Sequence, residues 1–415
     1  YLQKKSENGG WERQINGISN NEKAVLLLEK RTFKELLVDM ELRNLQNNIV
    51  GQEASRLFAR AEINMGVEAF RDSLYSLLKR NTFLNIKFEN MLDTLGEISR
   101  TDIRSLLGEW EKTTPLPFYS LGEPTLTKIT NKGGEEFFVL KMLISNNSDY
   151  DGIIHMDIRK DGWWYQPLED PRAKTKIEMP AHTSKEFVSV WEDQIRNVEI
   201  NTMVSGNLPN IISQDINNVK QERNKIVKDS IYILPESSFD LPGEIIVDNE
   251  DSTLFILSAP PIVGLLPKWL DEVEETPFKY SGISWWRPPL QWTATTNDRY
   301  YGKYIRSAFV IKSGDGSQTA TWKVPVPEVG QYDLYYHVFK DDELRWNNNL
   351  QGEYHFKVKY GSEVEDAYVN LRKANEGWEQ LGSYYFDSDT IRVVLTDECK
   401  LRSVTADAVK IVKRY

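Results

Sequence analysis

Histidine is the side chain most often used for metal binding and proton transfer near neutral pH. The sequence contains four, which are His155, His182, His337 and His355. No two are spaced i, i+4 and no HExxH motif occurs, so the sequence offers no helical zinc-binding face. His337 and His355 fall on predicted strands and could be cross-strand neighbours, although strand histidines more often have no metal role. We therefore predict no metal site.

Nucleophilic and phosphate-binding motifs are also missing from the sequence. The single cysteine, Cys399, excludes an internal disulfide and thiolate-rich zinc or iron–sulfur sites, and no signature pairs it with a base. A P-loop, a GxGxxG element and a GxSxG element are all absent. We predict that this chain is not an enzyme, has no catalytic residues and needs no cofactor.

Clustered carboxylates are the remaining groups that could do chemistry. Asp248, Glu250 and Asp251 lie in one predicted turn and could bind a hard cation, although a solvated acidic turn is the commoner arrangement. Asp387 and Asp389, in a predicted hairpin turn, are interpreted in the same way. Two carboxylates could also meet in space for glycoside hydrolysis, but the sequence singles out no pair.

A cluster of aromatic residues is the strongest local feature of the sequence. Exposed aromatic rings can stack on the apolar faces of sugars, while neighbouring polar groups bind the hydroxyls. The same rings could instead fill the core of a β-sandwich, and their solvent exposure distinguishes the two arrangements. The cluster continues to Tyr304. The candidate ligand-binding residues in it are Trp285, Trp286, Trp292, Tyr300 and Tyr301.

Composition and charge limit the classes of partner. The chain has 51 basic and 62 acidic residues, and its formal net charge of −11 argues against nucleic acid, which requires a positive field. With 40% hydrophobic and 27% charged residues, the 415-residue chain is expected to be ordered, in roughly two to four domains. The longest apolar run, 254–266, is short and interrupted by prolines, so we predict no membrane span and place any anchor in a parent protein.

Hydrophobic periodicity divides the first half of the chain. In residues 1–118, apolar side chains recur at i, i+3, i+4, i+7, which predicts a helical domain. Stripes begin at Phe33, Val67, Phe88 and Ile103, and Gly66 separates two of the helices. Residues 119–206 contain about seven short alternating segments, which predict an immunoglobulin-like β-sandwich.

The second half has a different pattern. Residues 207–243 are polar and irregular and predict a linker, while residues 244–415 return to a strand pattern and predict a second β-sandwich. The longest predicted strand there is Tyr332–Phe339. The predicted fold class is therefore multidomain α + β, with an N-terminal helical bundle, an immunoglobulin-like β-sandwich and a C-terminal jelly-roll-like β-sandwich.

Residues 53–210 contain a G-x-x-A-F element and, further along, a tryptophan before a Leu-Pro step, namely Gly66, Ala69, Phe70, Trp110, Leu116 and Pro117. In these positions the segment resembles the C-terminal helical and β-sandwich part of aminopeptidase-N-type gluzincin metallopeptidases. The resemblance implies a peptidase-like parent protein. The zinc-binding HExxH and its downstream glutamate are missing, so no zinc ligand or catalytic base is carried onto any residue of this chain.

Residues 244–414 contain an ordered series of acidic, aromatic and glycine positions, namely Asp248-Asn249, Tyr301-Gly302, Tyr304, Arg306, Trp322, Gly330, Tyr332, Trp378, Gly382 and Asp407-Ala408. In this series the segment resembles the golvesin/xanthan-lyase-type C-terminal β-domain, which is known as carbohydrate-binding-like. The resemblance implies an accessory module of extracytoplasmic bacterial enzymes. An insertion at Phe255–Phe278 departs from the family and could reshape a binding face. Asp407, among apolar neighbours, is expected to anchor the terminal strand.

These features predict a non-catalytic scaffolding and binding region of a larger extracytoplasmic bacterial peptidase-like protein. The expected localisation is periplasmic or cell-surface, with any membrane anchor in another part of the parent. A second prediction is a carbohydrate-binding module for envelope or environmental polysaccharide, and an envelope protein is the other partner considered. A third is the non-catalytic half of an active zinc aminopeptidase whose HExxH lies upstream.

Overall fold

The computed structural model of the protein describes residues 13, 15–82, 84–100, 102–104, 112–131, 133–160, 166–223, 227–235, 243–258, 278–284, 287–340 and 352–414. The chain divides into two compact units. We call Asn20–Phe239 the N-terminal unit, and Tyr1–Ser19 together with Asp240–Tyr415 the C-terminal unit.

Helices open the N-terminal unit, as the periodicity predicts. Within the described residues they are α1 Asn20–Lys30, α2 Phe33–Val38, α3 Gln46–Met65, α4 Val67–Arg80 and α5 Phe88–Ser99. A capping box between Thr32 and Glu35 starts α2. Gly66 separates α3 from α4 at φ 85°, a left-handed conformation that glycine adopts most easily. The boundary predicted at Gly66 is therefore confirmed.

The apolar stripes of these helices pack against one another. Leu57 of α3, Phe70 of α4 and Leu92 of α5 belong to one buried cluster, which also includes Ile103. The stripe from Phe33 is shorter than predicted, because α2 ends at Val38 and Asp39 caps a following 3-10 turn, which leaves Met40 exposed. The end of the last predicted stripe, including Trp110, lies outside the described residues.

Two sheets follow the helices and enclose an apolar core. One sheet has the order β10-β2-β3-β7-β11 with β1 paired to β3, and the other has the order β5-β4-β8-β9 with β6 paired to β4. Ile144 and Phe187 from the first sheet pack with Met156 and Ile200 from the second. The strands are β1 Tyr119–Leu121, β2 Thr125–Thr130, β3 Glu136–Asn146, β4 Gly152–Lys160, β5 Gln166–Pro167, β6 Lys174–Met179, β7 Thr183–Trp191, β8 Ile195–Asn201, β9 Ile211–Asp215, β10 Val219–Arg223 and β11 Ser230–Pro235.

The irregular linker predicted at 207–243 is wrong in its secondary structure. Strands β9, β10 and β11 lie in this range and pair with β8, β2 and β7. β10 and β11 are the two edges of their sheet, and an edge strand can carry polar side chains such as Lys220 because only one of its sides is paired. The polar sequence of β10 therefore explains why this strand was missed, whereas β11 has an apolar sequence that the prediction overlooked.

In the part of the C-terminal unit that the structure describes, three sheets surround an aromatic-rich core. Their orders are β12-β23-β17-β20, β13-β16-β21-β18-β19 and β14-β15-β22. The longest predicted strand, Tyr332–Phe339, corresponds to β17. The strands are β12 Glu244–Val247, β13 Phe255–Leu257, β14 Thr293–Thr296, β15 Ser307–Lys312, β16 Thr319–Pro325, β17 Gly330–Val338, β18 Glu353–Tyr360, β19 Glu363–Asn370, β20 Gly377–Phe386, β21 Thr390–Thr396, β22 Ser403–Ala406 and β23 Val409–Lys413.

Strand β17 determines which side chains leave the core. Tyr332, Leu334 and Tyr336 are buried, so alternation directs Tyr335 and His337 to the other side of the sheet. Helices followed by several sandwich-like sheets agree with the predicted α + β class, while the immunoglobulin-like and jelly-roll-like topologies stay predictions. None of the helices in the described ranges combines the length and apolarity needed to cross a bilayer.

Candidate functional site

The structure describes three of the five candidate residues in the aromatic cluster, namely Trp292, Tyr300 and Tyr301. Trp285 and Trp286 lie outside the described residues. Trp292 is half-buried and packs against the core of the C-terminal unit. Tyr300 is buried and offers no open ring face, whereas Tyr301 is half-buried. Among the three candidates that the structure describes, Tyr301 belongs to a partly exposed aromatic group.

A buried carboxylate fixes the position of Tyr301. The backbone N–H of Tyr301 donates to Asp407 Oδ2 at 3.1 Å, and His337 Nδ1 lies 2.8 Å from the same oxygen. Trp322 Nε1 donates to the backbone carbonyl of Asp407 at 3.2 Å. Burial raises the pKa of Asp407, while the neighbouring His337 lowers it in part. Asp407 therefore ties the junction of β22 and β23 to β17 and to the Tyr301 loop, in agreement with the anchoring role expected for it.

Tyr301, His337 and Trp378 form a group of three rings. The ring centroids are 5.7 Å apart for Tyr301 and His337, and 5.1 Å apart for Tyr301 and Trp378. The centroids of His337 and Trp378 are 5.2 Å apart, because β17 and β20 pair these two residues directly. Tilted and edge-on contacts of this kind are favourable between aromatic rings. The pairing of β17 with β20 and the hydrogen bond from the Tyr301 N–H to Asp407 thus bring together three separate segments of the chain.

Lys410 extends the group across the sheet. It lies opposite Tyr335, and its Nζ is 5.3 Å from the ring centroid of Tyr335 and 4.9 Å from that of Trp378. Glu244 on β12 accepts a hydrogen bond from the same Nζ through its Oε1, at 3.0 Å. The ion pair and the cation–π contacts restrict the motion of the Lys410 side chain. We call the surface formed by Tyr301, Tyr335, His337, Trp378 and Lys410 the aromatic face.

Polar side chains border the aromatic face on the same side of the sheet. Gln380 lies opposite Tyr335, and Ser383 lies opposite Asp333. Gln380 Nε2 is 3.0 Å from Asp333 Oδ1, and Arg414 Nε is 2.8 Å from Asp333 Oδ2. The hydrogen bond from Arg414 holds the pKa of Asp333 below its usual range. The exposed amide of Gln380 and hydroxyl of Ser383 thus lie beside the rings, held by the largely buried carboxylate of Asp333.

Sequence reasoning did not propose Tyr335, His337 or Trp378 as binding residues. The sequence does contain a signal for Tyr335 and His337, because alternation along β17 places them on the other side of the sheet from the buried Tyr336. Trp378 was recognised as a family marker, but its position beside His337 depends on the strand register. Sequence alone does not provide that register.

The acidic turn after β12 is occupied by internal contacts. Glu250 accepts hydrogen bonds from the hydroxyls of Tyr280, at 3.0 Å, and Ser307, and its other oxygen lies 2.6 Å from Lys279 Nζ. Asp251 Oδ2 accepts the N–H of Asp248 at 2.9 Å. Burial, followed by the charge of Asp407, raises the pKa of Asp248 well above its usual range. The turn is therefore a hydrogen-bonded structural element.

The histidine pair considered from the sequence is not formed. His337 is on β17 and His355 is on β18, which belong to different sheets. His355 instead lies 2.7 Å from Asp366 and stacks on Tyr368 with ring centroids 4.8 Å apart. Across the described ranges, no group of three or more histidine, cysteine or acidic side chains has an arrangement that could hold a metal ion.

Several solved structures share stretches of similarity with the chain. Paenibacillus xanthan lyase is 16% identical with a TM-score of 0.29, and the alignment covers 73% of this chain and 27% of the lyase. Bacteroides uniformis β-glucuronidase is 12% identical with a TM-score of 0.21, and the alignment covers 77% and 32% of the two chains. The chain therefore spans about a quarter to a third of these proteins. No curated protein matches it.

A family comparison identifies part of the C-terminal unit. Residues 288–413 match the Golvesin C-terminal domain, and this range includes every residue of the aromatic face. The preceding strands β12 and β13 lie outside the match but pair with β23 and β16 inside it. The gluzincin resemblance of residues 53–210 stays a prediction. Residues 288–413 of the C-terminal unit are therefore similar to the Golvesin C-terminal domain.

Proposed function

We propose that this chain is a non-catalytic binding and scaffolding region whose C-terminal unit binds polysaccharide at the aromatic face. One observation carries the proposal: Tyr335, His337 and Trp378 lie half-buried on the side of β17 and β20 that faces away from the core. Aromatic side chains that lie partly exposed outside the core are typical of binding surfaces.

The chemistry of the face suits a sugar ring. The indole of Trp378 and the phenol of Tyr335 provide flat apolar surface, on which the C–H face of a pyranose can pack. Gln380 and Ser383 lie close by and can exchange hydrogen bonds with hydroxyl groups. This mixture of apolar surface with a few placed polar groups is common to small-ligand and oligosaccharide sites.

The face is also held in place before any ligand arrives. Asp407 binds Tyr301 and His337, and Glu244 binds Lys410. Side chains that are already ordered lose little conformational entropy on binding, so more of the contact energy appears as affinity. The preorganised arrangement supports a binding role for this side of the sheet.

A non-catalytic role fits a golvesin-type domain, and we propose it for the whole chain. We also propose that the chain is located outside the cytoplasm. The prediction is checked with aminoacyl p-nitroanilide reporters, with and without added zinc, where no turnover is expected. Zinc-dependent turnover by this chain would contradict it. The peptidase-like parent inferred from residues 53–210 is tested separately, by reading the gene upstream for an HExxH motif.

Polysaccharide binding is tested by affinity electrophoresis and calorimetry with soluble glucan, xylan, pectin and xanthan. Replacing Trp378 with alanine is expected to weaken binding of the preferred polymer at least tenfold, or ~1.4 kcal/mol. Tyr368→Ala is the matched control, because Tyr368 is an exposed aromatic on β19 of another sheet and should leave binding unchanged. Lack of binding to all four polymers by the unaltered chain, or unchanged binding by folded Trp378→Ala, would overturn the proposal.

A further inference from the structure

The N-terminal unit contains a cavity of about 360 Å³, independent of the aromatic face. Its walls come from α3, from residues 114–117, from the turn before β4 and from the loop after β8. The volume is within the range of pockets that bind small organic ligands. Side chains of both charges and several apolar side chains line it.

One wall of the cavity is cationic. Arg56 and Arg60 are four residues apart on α3 and therefore lie on one face of the helix. Arg56 Nη2 donates at 2.6 Å to Oε2 of the buried Glu53, whose Oε1 accepts the Thr114 hydroxyl at 3.2 Å. Burial, followed by the charge of Arg56, lowers the pKa of Arg60, while the charges of Glu53, Asp151 and Glu178 act in the opposite direction. An anionic group placed between the two guanidiniums would be attracted by both.

The more exposed side of the cavity is anionic. Asp149 and Asp151 line it, and both are exposed. Asp149 Oδ1 lies 2.8 Å from His182 Nε2, and Asp151 Oδ1 accepts the N–H of Ala181 at 2.8 Å. Both carboxylates are therefore positioned by neighbours in the same turn region. A cationic group near the entrance would be attracted by them.

Apolar surface completes the site. Pro115 and Pro117 contribute one part, and Ile153, Met203 and Val204 contribute another. A ligand that carried only negative charge would be repelled by the entrance carboxylates, and one that carried only positive charge would be repelled by the arginines. A ligand with one charge of each sign and an apolar group avoids both penalties.

We propose that this cavity binds a small zwitterion, an α-amino acid or dipeptide with an apolar side chain. Its carboxylate binds to Arg56 and Arg60, because guanidinium groups form the strongest and most directional contacts with carboxylates. Its ammonium group binds to Asp149 and Asp151, and its side chain packs against the apolar lining.

Calorimetry with four small probes tests the charge requirement. L-Leucine and leucyl-leucine are zwitterions, while 4-methylpentanoate lacks the ammonium group and 3-methylbutylamine lacks the carboxylate. At least one zwitterion is expected to bind saturably, and both single-charge analogues at least tenfold more weakly. Equal binding of 4-methylpentanoate, or no saturable binding of either zwitterion, would overturn the proposal.

Variants then locate the bound ligand. Arg60→Gln and Asp149→Asn are each expected to raise the Kd of the bound zwitterion at least tenfold. Arg71→Gln and Asp72→Asn are the matched controls, because both side chains are exposed on α4 away from the cavity, and they should bind as the unaltered chain does.

The test of the zwitterion site remains decisive even if one variant fails to fold. If circular dichroism shows that Arg60→Gln is unfolded, Asp149→Asn decides, because its side chain is 81% exposed and its loss should not affect folding. Unchanged zwitterion binding by folded Asp149→Asn would place the ligand elsewhere and refute the assignment. Trp378→Ala is expected to bind the zwitterion normally, so this result is separable from the polysaccharide test.

Discussion

His337 Nδ1 lies 2.8 Å from Oδ2 of Asp407, a carboxylate with 0% exposure whose partner imidazole has 13% exposure. A carboxylate removed from water requires hydrogen-bond donors or a positive charge, and His337 and the backbone N–H of Tyr301 supply donors here. The pair connects the aromatic face to the buried junction between β22 and β23. Structure and proposed binding are therefore coupled at this position.

Removing the Asp407 carboxylate should destabilise the C-terminal unit. Asp407→Ala is expected to lower the free energy of unfolding by about 3 kcal/mol, because the N–H of Tyr301 and the ring of His337 lose a buried partner. Urea denaturation followed by tryptophan fluorescence measures the change. Asp387→Ala, at an exposed position, is the control and should change stability by less than about 0.5 kcal/mol. Equal stability of the two variants would contradict the role of Asp407.

Asp248 should make stability depend on pH in the direction opposite to that of an ion-paired carboxylate. Burial, with the charge of Asp407, raises the pKa of Asp248 in the folded state. The folded state then binds a proton more strongly than the unfolded state, so the contribution of Asp248 to stability falls as pH rises through the interval between the two pKa values. Asp248→Asn is therefore expected to raise the Tm at pH 7 and to raise it less at pH 4.

Scanning calorimetry at the two pH values checks this expectation. Asp387→Asn serves as the control, since an exposed carboxylate should give little change at either pH. A lower Tm for Asp248→Asn at pH 7 would show that the ionised side chain stabilises the turn. An equal gain at both pH values would show that the effect comes from packing and not from the charge.

The sequence predicted the strands of the C-terminal unit better than their contacts. The sequence predicted a strand at Tyr332–Phe339, and the structure shows that alternation along β17 places Tyr336 in the core and His337 on the other side of the sheet. The contact of His337 with Trp378 depends on the pairing of β17 with β20, which shifts register between Leu334 and Tyr335. A slip of one residue would move Trp378 to the core side, and no local pattern fixes that slip.

The linker prediction failed for a related reason. Hydrophobic alternation is strong in a strand that is covered on one face, but β10 and β11 are edge strands with many exposed side chains. Their pairing with β2 and β7 is a long-range contact. Composition within 207–243 therefore could not distinguish a solvated connector from strands that add to a distant sheet.

Gly302 should be required for the position of Tyr301. Its φ is 155°, and a Cβ atom there would lie 1.8 Å from the backbone oxygen of Ile305. Gly302→Ala is expected to destabilise the C-terminal unit by about 2 kcal/mol or more, because the backbone around Tyr301 must shift. Scanning calorimetry measures the transition of this unit, and weaker polysaccharide binding should accompany the loss.

A second glycine provides the control for this substitution. Gly51 lies inside α3, and a Cβ atom there would meet no other atom within 4 Å. Gly51→Ala is expected to stabilise the N-terminal unit by about 0.5–1 kcal/mol, because alanine loses less backbone entropy in a helix. A stabilising Gly302→Ala or a strongly destabilising Gly51→Ala would contradict the geometry of these two positions.

The edge strand β11 should promote self-association. In the described part of its sheet it pairs with β7 alone, and Ile233 is 73% exposed with further apolar side chains on both sides of it. Unpaired backbone groups beside exposed apolar residues favour pairing with another chain, and a lysine at such an edge opposes it. Ile233→Lys is therefore expected to reduce concentration-dependent association in sedimentation velocity while leaving the Tm nearly unchanged. Val329→Lys, which replaces an exposed apolar residue in the turn before β17, should leave association unchanged. An equal reduction by both variants would mean that added charge, and not the edge of β11, controls association.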